Sequence, residues 1–166
     1  MSLSIFKVHA FGVRMVVFAV IISTIFLVRH WQPARQIELR HRNFLLALED
    51  RNWNRVKSYL ASDYTDRFGY SRETLVPDLR QVLRQFFALT IRTQGRQTEW
   101  GVDEVKITEF VTLQGNGPGL TDFITNEVNR LTDPWSFTWK KASVWPWDWR
   151  LATVDNPGFR VPERRP

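Results

Sequence analysis

PWSFTWKKASVWPWDWRLATVDNP, residues 134–157, holds five of the chain's eight tryptophans. On an extended strand alternate residues share a face. Trp135, Phe137 and Trp139 then form one aromatic row, and Trp147, Trp149, Leu151 and Thr153 a second. Pro146 cannot donate to a ladder, so it falls in the turn or just ahead of the second strand. The stretch therefore predicts a hairpin with one aromatic face, of the kind that lines the concave side of a curved sheet. A competing use is a platform for sugars or single-stranded nucleic acid. Residues 145, 147 and 149 would stand roughly 7 Å apart along a strand, a usable spacing for stacked rings. Asp148 and Arg150 supply an outer polar face, so the expectation is core, with Trp145 the exception because it precedes the proline.

Upstream of this hairpin the chain changes period. From Ala88 to Gly115 β-branched and polar residues alternate, which predicts two strands joined through Gly95 or Gly101, with Val105, Ile107 and Glu109 on one side. GNGPGLTDFITNEVNRLTDP (115–134) interrupts them with a glycine-rich turn and a short helix carrying Leu120, Ile124, Val128 and Leu131. It lacks the Gly-Lys-Ser/Thr ending of a phosphate loop. Before Ala88 the spacing is helical. Pro33 opens a helix with Ile37, Phe44, Leu45 and Leu48, and Asn52 caps a short one with Trp53, Val56 and Leu60. DYTDRFGY (63–70) reads as a short strand. Ser71 then caps a helix whose expected stripe is Leu75, Leu79, Val82, Leu83 and Phe86.

Residues 1–31 are of another kind. Met15 to Val28 is an uncharged run of 14 residues, extended by Ala10–Val13 and flanked by Lys7, Arg14, Arg29 and Trp31. A spanning helix needs roughly 20 apolar residues, and Arg14 can snorkel toward headgroups. A cleaved signal peptide would show a small-x-small site after the run, and a core helix would show a polar face; neither is present. The expectation is a signal anchor over residues 1–31, embedded through residues 10–31, in an inner or plasma membrane. The short basic start favours a domain on the extracytoplasmic side, although the arginines after the run count the other way.

Of the formal charge of +6, half comes from Lys7, Arg14 and Arg29. The remainder is close to neutral, with no basic stripe, which argues against nucleic-acid binding. The chain has no cysteine. Thiolate chemistry and disulfides are excluded, and no clustered histidines or paired acids suggest a metal or cofactor.

The order helix, helix, short strand, long helix and then antiparallel strands resembles the nuclear transport factor 2-like superfamily, also called the cystatin-like α+β cone. The resemblance rests on DYTDRFGYSRETLVPDLRQVL (63–83), on W-D-W-R-L at 147–151 and on V-D-N-P at 154–157. These motifs look like a bacterial subgroup without an assigned role. The likeness covers residues 34–157, giving an expected organisation of anchor 1–31, domain 32–157 and flexible tail 158–166. The expected fold class is α+β: a transmembrane helix followed by a curved antiparallel sheet wrapped around about three helices.

The resemblance implies a pocket at the wide end of the cone, where Tyr64, Phe68, Phe86, Trp100, Phe137, Trp139, Trp147 and Trp149 are the candidate lining. Ordinary core is the competing role for most of these rings. Two function classes stay open. One is a membrane-anchored accessory module that binds a small apolar ligand or a protein partner, with a homodimer through the sheet as a further option. The other is an isomerase or hydratase, which the superfamily also contains, with a buried carboxylate and a tyrosine as its machinery. Asp63, Asp66 and Glu109 are its candidate acids or bases. His41 lies between two arginines and is expected to be solvated.

Overall fold

The aromatic hairpin forms as the final pair of a four-stranded antiparallel sheet in the computed structural model, which describes residues 15–24 and 32–160. The strands are β1 (Ala88–Trp100), β2 (Glu104–Asn116), β3 (Trp135–Lys141) and β4 (Trp149–Asp155), hydrogen-bonded in sequence order. Helices α1 (Pro33–Glu49), α2 (Trp53–Tyr59) and α3 (Arg72–Leu83) precede the sheet, and α4 (Leu120–Asn129) links β2 to β3. The architecture is α+β.

Local chemistry sets the helix boundaries. Pro33 opens α1, where its missing N–H leaves no bond unmade. Asn52 accepts from Arg55 N at the start of α2. Ser71 and Thr74 form a capping box at the start of α3. The buried residues of α3 are Val76 and Leu83, whereas Val82, expected in the stripe, is exposed. Residues 63–70 are also not a strand. They contribute one isolated bridge, Thr65 to Ser71, and otherwise fold as turns. The reason is Asp66, whose carboxylate accepts from Phe68 N and Tyr70 N and bends the chain back on itself.

The sheet carries one irregularity that matters for the site. β1 and β2 pair in register from Ala88 with Asn116 to Gln94 with Phe110, slip, and resume at Gln97 with Thr108. Gly95, at φ +66°, supplies the left-handed backbone for this bulge. Gly101, by contrast, lies in the turn. Because side chains alternate, one extra residue reverses which ones face the helices. Leu89 and Ile91 take the helix-facing side before the bulge, and after it Trp100, paired with Val105, takes that side at the very end of the strand, where its ring meets Trp149 edge to face and stays half exposed.

The core lies between α1–α3 and the concave face. Phe44, Tyr59 and Trp139 meet edge to face with centroids 6.0–6.5 Å apart. Val56, Val105, Ile107, Phe137, Trp149 and Leu151 close around them. β3 covers β2 only as far as Glu109, so beyond that point the edge of β2 needs another partner. Asn129 of α4 provides it: its amide accepts from Leu113 N and donates to Leu113 O.

Residues 15–24 are helical with exposed side chains. Among the described residues no helix is long and apolar enough to cross a membrane. The transmembrane helix expected from the sequence is thus not part of the observed architecture. Its remaining residues, 10–14 and 25–31, lie outside those described, as does most of the tail from 161 onward.

Candidate functional site

The most chemically loaded place in the domain is a buried polar cluster in the middle of the apolar core. His41 projects from α1 and Glu109 from β2, and neither exposes any surface. His41 Nε2 lies 2.7 Å from Glu109 Oε1. Arg96 Nε donates to the other carboxylate oxygen, also at 2.7 Å. The Gly95 bulge brings Arg96 to this face, where it also approaches Glu38 across 3.9 Å and donates to Thr93 Oγ1. Burial alone would raise the Glu109 carboxyl, but the hydrogen bonds from His41 and Arg96, together with the Arg96 charge, outweigh it and hold it below the usual range.

The second ring nitrogen of His41 decides what this cluster can do. Trp139 Nε1 lies 3.3 Å from His41 Nδ1, and an indole N–H can only donate. Nδ1 is therefore the acceptor, and Nε2 carries the proton given to Glu109. Both nitrogens are occupied by protein groups. Phe137 packs edge-on against the same ring at 4.8 Å. A general base must keep one nitrogen free and facing its substrate. His41 keeps none.

The predicted solvation of His41 is thus corrected: the ring is fully buried. Its sequence neighbours Arg40 and Arg42 misled, because residues adjacent in sequence point to different sides of a helix. The better signal was position, since His41 lies four residues after Ile37 and three before Phe44, inside the apolar stripe. Among the three candidate acids only Glu109 enters the core. Asp63 is exposed. Asp66 serves the 63–70 turn, where Tyr64 donates its hydroxyl to Asp66 Oδ2 at 2.9 Å. Burial, reinforced by Asp66, drives the Tyr64 phenol well above its ordinary value, so it stays protonated as a donor.

The proposed aromatic lining divides in the same way. Tyr64, Phe86, Phe137, Trp139 and Trp149 are buried among other side chains as packed core. Phe68 is half-buried and meets Phe159 edge to face. Trp100 and Trp147 are exposed, which removes them from any interior lining. Trp147 precedes β4 rather than belonging to it, and it stacks on Trp145 at 5.0 Å and 18°.

A surface groove of about 740 Å³ runs between α2 and α3. Lys57, Arg80 and Arg84 line it together with Trp53, Val76 and Pro77, and its lining includes no carboxylate. No local pattern points to it, because its cations come from two helices set side by side only by folding.

Comparison with solved structures then places the domain. An NTF2-like protein of Cytophaga hutchinsonii superimposes with a TM-score of 0.53 at 14% identity, over 72% of this chain and 93% of its own. The fold is that of the nuclear transport factor 2-like proteins. The hexachlorocyclohexane dehydrochlorinase LinA-type3 of Novosphingobium barchaimii matches with a TM-score of 0.55 at 16% identity, over 74% of this chain and 84% of its own. Bd1075 of Bdellovibrio bacteriovorus matches at 0.58 and 5% identity over 76% of this chain, which spans only 40% of that protein. No family model matches the sequence, and neither does any curated protein. At these identities the likeness establishes the fold alone.

Proposed function

We propose that the chain is a membrane-tethered accessory module of the NTF2-like fold that binds through its surface, its cone having been filled in. The observation that carries this reading is the Trp139 indole on His41 Nδ1, inside a core where both His41 and Glu109 are sealed. A cone built for isomerase or hydratase chemistry would leave a histidine nitrogen or a carboxylate oxygen facing a cavity. Here Glu109 spends its oxygens on His41 and Arg96. The cluster acts as a polar rivet that fixes α1 against β2. Binding falls to the exterior, where the cationic groove between α2 and α3 suits an acidic segment of a protein partner.

The tether follows from residues 10–31, whose apolar run and charged flanks suit an anchor in an inner or plasma membrane, with the domain on the extracytoplasmic side. A reporter enzyme active only outside the cytoplasm, fused after Pro166, would be active in that orientation and silent in the reverse one.

Nitrogen-15 NMR of the histidine rings tests the closed core. His41 should show an unprotonated Nδ1 and an Nε2 proton that exchanges slowly with water. A fast-exchanging ring whose signals move when a small apolar ligand is added would replace this reading with the isomerase or hydratase alternative.

A further inference from the structure

The end of the sheet formed by the β1–β2 and β3–β4 turns is apolar and aromatic in a way the fold does not require. The two turns lie side by side: Lys141 N, at the end of β3, donates to Asp103 O of the first turn at 3.0 Å, and Ala142 N closes the second turn on Asp148 O at 2.8 Å. Together they present Trp100, Val102, Val144, Trp145 and Trp147 to solvent, with Val102 98% and Val144 86% exposed. Five large apolar side chains on two adjacent turns are a concentration that soluble surfaces normally avoid.

We infer that this tip is seated in the interfacial layer of a lipid bilayer. Three observations favour lipid over a protein partner. First, three of the five side chains are tryptophans, whose amphipathic rings favour the headgroup level. Second, the surrounding charge is balanced: Glu99, Asp103 and Glu104 are matched by Lys106, Lys140 and Lys141, all exposed. Asp148 is held by Arg40 and Arg150. Such a rim suits zwitterionic headgroups, and the lysine stems can snorkel away from the acyl region.

Third, the direction of α1 brings the chain in from the same end. Arg40 donates to Trp149 O, at the tip end of β4. Nine residues later Glu49 accepts from Ile91 N, near the opposite end of β1. The helix therefore begins toward the tip, and the uncharged run ending at Val28 lies only a few residues before Pro33. A bilayer holding that run would approach the domain from the tip side. The inference goes beyond the tether reading, because the exposure of the two turns does not depend on it.

The chain has no cysteine, so a single introduced thiol can be labelled uniquely. The full chain carrying Val144→Cys, Val102→Cys or, as a control at the far end of the sheet, Phe87→Cys would be labelled with an environment-sensitive dye. It would then be mixed with phosphatidylcholine vesicles with and without brominated acyl chains. Emission at 144 and 102 should shift blue and be quenched by the brominated lipid, while emission at 87 should not change. No quenching at 144 in a folded protein overturns the inference. Efficient 144–144 disulfide formation in place of quenching also overturns it, and assigns the tip to a second copy of the chain. Flotation after an alkaline wash reads the tether separately. Quenching without flotation would end the tether and keep the tip, and flotation without quenching would do the reverse.

Discussion

Trp139 and Trp149 are sealed in the core, whereas Trp145 and Trp147, from the same short stretch, stand open to solvent. The four share one residue type and a common spacing of two or its multiples, so composition cannot separate them. Hydrogen bonding of the backbone does. Trp139 and Trp149 lie in strands whose pairing fixes the direction of every side chain, β3 against β2 and β4 against β3. Trp145 and Trp147 flank Pro146, in a turn where no ladder imposes a face. Even the buried pair draws on that turn, since Trp149 Nε1 donates to Pro146 O at 2.9 Å. Alternation is evidence of burial only where the ladder continues.

The sharpest way to break this contrast is Trp139→Ala. It removes the ring that Phe44, Tyr59 and His41 pack against, together with the donor to His41 Nδ1. We expect a loss of about 3–5 kcal/mol in urea unfolding. A loss under about 1 kcal/mol would mean that the interior is not close-packed there, contrary to what such cores require.

Next in size is Glu109→Gln. His41 Nε2 and Arg96 Nε bond different oxygens of the carboxylate, so an amide, which replaces one oxygen by NH2, sets an N–H against one of the two donors. The cost should be about 3 kcal/mol at neutral pH. The pH dependence sharpens the assignment. The folded carboxyl is held below its ordinary 4.5, so its contribution is full above that pH and is lost as pH falls through the lower folded value. Unfolding midpoints followed from pH 6 to pH 2 should show this acid loss in the parent chain and a smaller one in Glu109→Gln.

The rivet also marks how far the sequence could be read. The helices, the two hairpins and the aromatic face were legible, because each rests on a local period. Glu109 was legible as a strand residue on the same side as Val105 and Ile107, and it became important only when α1 set His41 opposite it. Arg96 was not legible. Alternation from Leu89 and Ile91 would turn it outward, and only the slip at Gly95 brings it in. Asp66 shows the opposite error: a carboxylate near two tyrosines looked like chemistry, and its oxygens serve the turn.

Gly95→Ala tests that slip. The new Cβ would have to adopt φ +66° and would lie 3.3 Å from Phe110 Cδ2. A destabilisation of about 1 kcal/mol is expected from the backbone alone. If the bulge instead shifts, Arg96 loses Glu109 while His41 keeps it, and the variant should then show an acid limb between those of the parent and Glu109→Gln. Parent-like stability together with a parent-like acid limb would show that the left-handed glycine is not what places Arg96.

The smallest effect should come from the open pair. Trp145→Ala and Trp147→Ala remove rings that stack mainly on one another, so each should change stability by less than about 0.5 kcal/mol in the same urea experiment. The double variant should fall short of the sum of the singles, because either substitution already ends the stacking. This near-neutrality is what gives the contrast with Trp139 its meaning: a fold that keeps two large rings in water, and does not lose stability without them, is not keeping them for itself. A loss of 2 kcal/mol or more, the size expected of buried rings, would make the turn part of the core and leave the tip without surplus surface to offer a membrane.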